Sequence, residues 1–260
     1  MHDADATQAF LDSLPEVKPG ESFRFACHPG VACFNACCGD LTLVLTPYDV
    51  YRLRKHLGLS SRDFIAAHVE AALAPDTGYP VFRLKMREDA AHKPCPFVTP
   101  RGCSVYADRP GACRTYPIGR ATKLGEAGEV VEQFFLVRED HCRGFAEDRE
   151  WTPESWTADQ GLRVYASMND RLMRLLARQR ALGAPLPKQK ANMLALALYQ
   201  LDNFQKFVND VHLLDRLELT EERKAEILAD EEAALDFALD WLGLALYGEG
   251  GGLRVVQSAF

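Results

Sequence analysis

Long apolar runs are missing from this sequence. A membrane-spanning helix needs roughly eighteen such residues; the most apolar piece, LDFALDWLGLALYG, is shorter and carries Asp236 and Asp240. Positive charge is scarce too: 30 Lys and Arg stand against 37 Asp and Glu, for a net charge of -7. General nucleic-acid binding rests on Lys and Arg neutralising phosphates. Neither a nucleic-acid nor a membrane partner is therefore expected. The opening MHDADATQAF lacks the basic stretch and apolar core of a secretory leader, so the expected compartment is the cytoplasm. No glycine-rich turn follows a strand and opens a helix, the context that marks nucleotide and S-adenosylmethionine sites. No Ser/His/Asp constellation stands out either. What remains is an ordinary globular chain of 260 residues, 47% hydrophobic and 26% charged, long enough for one or two domains.

Cysteine is distributed very unevenly. Cys27, Cys33, Cys37 and Cys38 fall in the single stretch CHPGVACFNACC, Cys95, Cys103, Cys113 and Cys142 follow, and none lies beyond. A disulfide framework belongs mainly to small secreted chains. Cysteines serving as small buried apolar residues are common but do not cluster in this way, and a redox dithiol needs only two or three. Thiolates are soft ligands for zinc, copper(I) and iron–sulfur clusters. The expectation is a metal site drawing on all eight cysteines, with Pro29, Gly30 and Gly39 letting the first loop turn tightly. Adjacent side chains such as Cys37 and Cys38 tend to point in different directions, which is awkward for two ligands of one tetrahedral ion. Two four-thiolate sites, or a polynuclear cluster with spare thiols, both fit. A zinc ion or a [4Fe–4S] cluster held by four thiolates carries a charge of about minus two. Lys93, Arg101, Arg109, Arg114 and Arg120 surround the second cysteine group, either offsetting that charge or forming plain solvated surface.

Along the chain, Phe10, Leu11 and Leu14 offer a small amphipathic lead-in. Phe23 and Phe25 alternate as a short strand would, and LTLVL at 41–45 reads as a buried strand. Thr46-Pro47 with Asp49 opens a helix that Gly58 ends. Ser60 and Asp63 open a second, predicted to run through Val69, Ala72 and Leu73 to Pro75. YPVFRLKMRE and VVEQFFLVRE alternate as half-buried strands. Between them KPCPFVTPRGCSVYADRPGACRTYPIGR shows no regular pattern, and so long an irregular loop needs some other constraint, which metal ligation would supply. From Thr152-Pro153 onward the leucine and aromatic spacing is helical: a region closed by Gly183 and Pro185, a helix or helix pair over 188–217, and a last helix from Thr220 to Gly248 with a frayed tail. The predicted class is α+β, a small cysteine-rich metal-binding α+β domain over 22–146 followed by a C-terminal helical bundle over 151–248.

The cysteine pattern, with CPFVTPRGCSVYADRPGACRTYPIG and the helix pair LTPYDVYRLRKHLGLSSRDFIAAHV, resembles a bacterial cysteine-cluster family, the zinc- or iron-chelating YkgJ-type domain. Arg109-Pro110, then Cys113-Arg114-x-Tyr116-Pro117, is the most specific part. The resemblance implies a metal site at Cys27, Cys33, Cys37, Cys38, Cys95, Cys103, Cys113 and Cys142. Such proteins are often iron–sulfur proteins, and a related domain occurs in flagellin lysine methylases, which implies work on a protein or peptide partner or substrate. The expected cofactor is an iron–sulfur cluster, redox-active or acting in protein modification. The alternative is zinc in a protein-interaction module without catalysis. Methylation with S-adenosylmethionine rests on that association alone. His28, His92 and His141 neighbour cysteines and are read as ligands, as donors to ligands, or as plain loop histidines; His56 and His68 read as surface or packing residues.

Overall fold

Four stretches of chain interleave into two compact units: Met1–Leu41 with Met86–Asp170, and Thr42–Lys85 with Arg171–Phe260. The computed structural model describes residues 13–125 and 129–256, together with Ala9; Phe10 and Leu11 of the expected lead-in lie outside the described residues. The class is α+β, as the sequence pattern predicts. Set against the ranges 22–146 and 151–248, the segment Thr42–Lys85 falls within the first yet folds with the C-terminal helices.

In the first unit, Glu16–Val17, Val130–Leu136 and Ile118–Leu124 form an antiparallel sheet with Val130–Leu136 in the middle. The register runs from Ile118 opposite Leu136 to Leu124 opposite Val130. Ile118–Leu124 lies at the end of the stretch expected to be irregular and in the turn after it. Its sequence, IGRATKL, offers only Ile118 as a buried anchor, so pairing with Val130–Leu136, rather than alternation, makes it a strand. A second ladder joins Phe23–Arg24 to Glu150–Trp151. Val17, Phe23, Phe25, Ile118, Leu136, Trp151, Trp156 and Leu162 form one core cluster. Phe25 is at its hub, edge-on to Tyr116 at 5.7 Å, Phe145 at 5.3 Å and Trp156 at 5.7 Å; such contacts add about 0.5–1.5 kcal/mol each beyond burial. Both indole N–H groups are satisfied, Trp151 donating to the Phe25 carbonyl at 2.9 Å and Trp156 to that of Thr115 at 3.0 Å. The helix Pro153–Asp159 starts where expected, capped by Thr152. After it Leu162–Ala181 begins in this unit and ends in the other.

In the second unit, Thr46 and Asp49 make a reciprocal capping box for the helix Pro47–Leu57, and Gly58, at φ 65°, ends it in the left-handed region. The next helix stops earlier than predicted, as Ser61–His68. Val69–Leu73 is instead a strand, paired antiparallel with Pro80–Leu84 along its whole length. Apart from Val69, VEAAL is built from good helix formers, but pairing with a neighbouring strand overrides local propensity. LTLVL contributes only Val44–Leu45, on one side of this sheet; Leu43 and Leu45 are buried while Leu41 and Val44 are exposed, so the expected fully buried strand is a half-buried one. The helices Lys188–Tyr199 and Leu201–Asp210 realise the predicted pair. The predicted single last helix is two, Glu221–Ala229 and Glu231–Tyr247, because Asp230 turns to cap the second, accepting from Ala233 N at 2.8 Å. The tail to Val256 is bound rather than frayed: Arg254 and Val256 pair with Glu218 and Arg216 through backbone bonds of 2.9 Å, and residues 257–260 lie outside the described residues. Most of the predicted leucine and aromatic stripe is core here, with Leu194, Leu198, Phe204, Leu235 and Leu242 buried, while Leu182, Phe207 and Leu228 are exposed. Among the described residues no helix is long and apolar enough to cross a membrane.

One buried charge ties the second unit together. Arg54 lies against Glu231, reaches Asp202 at 3.8 Å and donates to the Leu59 carbonyl at 3.2 Å. Truncating one partner of a buried pair strands the other, at about 3 kcal/mol or more. Urea unfolding of Arg54→Ala should show a loss on that scale. Lys224→Ala, which removes exposed pairs to Asp215 and Glu221, should leave the midpoint unchanged.

Candidate metal centre

The first cysteine loop is a chain of tight turns. Backbone N–H groups of Val31, Phe34, Ala36 and Cys38 each donate to the carbonyl three residues back, at 2.9–3.0 Å. Val31 is buried and pins the loop. Asn35 takes the left-handed conformation, φ 69°, which asparagine tolerates, and its side chain donates to the Thr99 carbonyl at 2.9 Å. Beyond the vicinal pair the chain runs against residues 93–95: Asp40 N donates to the Lys93 carbonyl at 3.0 Å and Cys95 N to the Cys38 carbonyl at 2.8 Å. Gly39 makes this approach possible, since a Cβ there would stand 2.7 Å from the His92 carbonyl oxygen.

The remaining cysteines reach the same unit by three devices. A turn from Cys95 to Val98 leads into a short hairpin in which Val98 faces Cys103. Cys113 lies on the short helix Gly111–Thr115, which two buried arginines hold in place. Arg114 donates to the carbonyls of Arg109 at 2.9 Å, Gln160 at 2.9 Å and Ala107, and its guanidinium lies 4.8 Å from the Tyr165 ring. Arg109 donates to the Tyr106 carbonyl at 2.6 Å and to the Gln160 side chain, stacked 3.8 Å over Tyr106. Cys142 comes in through Gly144, which packs so closely on Phe25 that a Cβ would lie 2.6 Å from the ring. There Ala26 N donates to the Gly144 carbonyl at 3.0 Å, and Arg143 N donates to Cys33 Sγ at 3.1 Å.

All eight predicted residues thus belong to one unit, as thiols, with Cys27, Cys37 and Cys113 exposed and the others half-buried. Among the described residues no three His, Cys, Asp or Glu side chains are disposed to hold a single metal ion as they stand. The thiols interact as neighbours instead. Cys38 donates to Cys37, which brings the Cys37 thiol down to about 6 and holds the proton of Cys38 well above the ordinary range. Cys27 is pushed up to about 11 by burial, then by Cys37, Cys33 and Cys142. Burial raises Cys95 and Cys103 as well.

Two features fit an anionic thiolate–metal group. First, Arg109 and Arg114 are buried and hydrogen-bonded to carbonyl and amide acceptors, and the groups that support the Arg109 charge are Tyr106, Cys113 and Cys103. Second, the Tyr116 hydroxyl is buried without a protein partner in hydrogen-bond geometry and interacts with Cys142. Of the five cations weighed in the sequence, then, Arg109 and Arg114 are structural and buried. Arg120 is engaged elsewhere, by Asp170 at 2.7 Å and Glu132 at 2.8 Å, and Lys93 and Arg101 are exposed. Tyr116, Gly144 and Gln160 escaped sequence reasoning; only Tyr116, inside the Arg109–Pro117 element, carried a signal. Both ring nitrogens of His28 are taken, Nδ1 by Gly30 N at 3.2 Å and Nε2 by Glu147 at 3.1 Å. His92 and His141 are exposed.

A family model described as "CxxCxxCC: Putative zinc- or iron-chelating domain" matches residues 26–143, a span that holds every cysteine. No curated protein and no solved structure matches the chain.

The vicinal hydrogen bond has a measurable consequence. After metal removal under reducing conditions, Cys37 should alkylate first, its rate rising with pH to a midpoint near 6. In Cys38→Ala the donor is gone, and the midpoint should climb toward the ordinary thiol value of about 8.5. A parent midpoint already in that ordinary range would contradict the bond.

Proposed function

We propose, from the match of residues 26–143 to a model of zinc- or iron-chelating domains, that this protein carries its metal as an iron–sulfur centre. The proposed ligands are the thiolates of Cys27, Cys33, Cys37, Cys38, Cys95, Cys103, Cys113 and Cys142. The observation that carries the choice is the vicinal pair, Cys37 and Cys38, within a set of eight thiols gathered in one unit. One structural zinc needs four ligands around a closed tetrahedron, and neighbouring cysteines fit poorly as two of them. In a four-iron cluster each thiolate takes a separate iron, so adjacent sulfurs are accommodated there.

The surrounding residues have defined tasks in this reading. The Arg109 guanidinium offsets thiolate charge beside Cys103 and Cys113, while Arg114 holds the loop that carries Cys113. The buried Tyr116 hydroxyl, without a hydrogen-bond partner of its own, is the donor available to a metal-bound Cys142 thiolate. Glu147 and the Gly30 N–H occupy the two ring nitrogens of His28, which leaves the thiolates as the ligands. When bound, such a cluster supplies electron transfer or an iron open to a substrate. The proposed partner is a protein or peptide, since Cys27, Cys37 and Cys113 are exposed and a side chain of another chain can approach them.

Protein purified without oxygen tests the reading. It should be brown, contain acid-labile sulfide, and bleach on reduction or in air. Colourless protein with stoichiometric zinc and no sulfide, even after expression with ample iron, would overturn it in favour of a zinc-stabilised interaction module.

A further inference from the structure

The second unit, which holds no cysteine, has a sheet that ends on an open edge. Val69–Leu73 is the outermost strand and pairs only with Pro80–Leu84. In an antiparallel ladder, successive residues turn their N–H and C=O alternately toward the partner strand and away from it. Lys85 N donates to the His68 carbonyl and Ala74 N to the Tyr79 carbonyl, both at 2.8 Å, and this sets the alternation. Glu70 and Ala72 therefore bond inward, to Arg83 and Val81, while Ala71 and Leu73 turn their backbone groups outward. Val69 N is spent on the Ile65 carbonyl at the end of the preceding helix. Among the described residues nothing pairs with the outward N–H and C=O of Ala71 and Leu73. The side chains are as open as the backbone. Ala71 and Leu73 share the face of Phe82 and Pro80, yet Phe82 is buried while Ala71 is exposed and Leu73 is 53% exposed. The apolar face thus runs on past its cover. On the opposite face the exposed Glu70 has Arg83 across the ladder, and among the described residues no strand on its outer side. Sheet edges are commonly blunted by a bulge, a proline or a lysine; the pairing here is unbroken and VEAAL has neither residue.

We infer that Val69–Leu73 is a docking edge for an extended segment of another protein, added as an antiparallel strand with apolar side chains beside Ala71 and Leu73 and a basic one opposite Glu70. The outward N–H and C=O groups of Ala71 and Leu73 supply the main-chain bonds, the usual source of affinity when a peptide extends a sheet. Charge sets the partner's composition. Glu70 bonds inward, so toward a newcomer it stands at a non-hydrogen-bonded position, where facing side chains come closest. A cation there is favoured and a carboxylate disfavoured. The same geometry argues against a second copy of this chain, since VEAAL has no cation to set against Glu70. Five residues of strand, about 17 Å, also offer far less than the roughly 800 Å² per partner of a standard protein interface. A short extended segment fits what is free. The inference goes beyond the metal reading and uses none of the cysteines.

Amide hydrogen exchange on the full chain, with and without a probe peptide, tests this. The probe is a capped pentapeptide in the order valine, threonine, valine, lysine, valine, which sets its lysine opposite Glu70. In the free protein the Ala71 and Leu73 amides should exchange quickly and those of Glu70 and Ala72 slowly. Saturating peptide should slow Ala71 and Leu73. The same peptide with glutamate in place of lysine should bind about fivefold more weakly. Ala71→Pro removes an outward donor without touching the bonds to Pro80–Leu84, and should abolish binding. Ala71 and Leu73 amides already slow in the free protein would overturn the inference. So would amides that the peptide leaves unchanged, equal affinity for the two peptides, or full binding by a folded Ala71→Pro chain. If that variant does not fold, the two peptides on the parent chain decide. A parent that dimerises, and that Ala71→Pro returns to monomer, would overturn the inference in favour of a second copy.

Discussion

Two buried guanidinium groups, hydrogen-bonded to carbonyls and to an amide side chain, constrain the cysteine-rich unit. Arg109 and Arg114 bond the carbonyls of Tyr106, Ala107, Arg109 and Gln160 and the Gln160 side chain. These bonds order residues that have little regular structure of their own. Burial of an ion nevertheless costs several kcal/mol unless its charge is met, and carbonyl dipoles meet it only in part. Nearby groups that can become anions are the thiols of Cys103 and Cys113. On the proposed metal–thiolate reading the clamp and the cysteines depend on each other: the arginines shape the loop, and metal-held thiolates neutralise the arginines. This explains why Arg109, Cys113, Arg114 and Tyr116 occur together as the most specific stretch of the sequence.

Elements set by neighbouring residues were legible before the structure. The Thr46-Pro47 start and Gly58 stop of the first helix of the second unit, the Thr152 cap and the alternation of Phe82 and Leu84 all depend on a few adjacent positions. Elements set by distant partners were not. Val69–Leu73 reads as helix until Pro80–Leu84 pairs with it, and Ile118–Leu124 has too few apolar positions to declare itself without Val130–Leu136. The interleaving of the two units is likewise invisible to local patterning, because Thr42–Lys85 must meet residues more than eighty positions later.

The candidate site divides along the same line. Thiol chemistry and clustering named the eight cysteines, since residue type and spacing suffice for that. What positions them is long-range: Gly144 against Phe25, Gly39 against the His92 carbonyl, Gln160 beneath the arginines. Charge counting alone left Arg109 and Arg114 indistinguishable from Lys93 and Arg101. Burial separates them, because a solvated cation needs no counter-ion whereas a buried one does. The histidines also sort by partner, His28 being bonded at both ring nitrogens.

The central claim is that the metal of this protein is held by cysteine sulfur and not by histidine or carboxylate. X-ray absorption at the edge of the bound metal reads the ligand atoms directly. The account predicts a first shell of sulfur alone, at about 2.3 Å for either metal, with no nitrogen or oxygen scatterer. A shell containing imidazole nitrogen or carboxylate oxygen would contradict it.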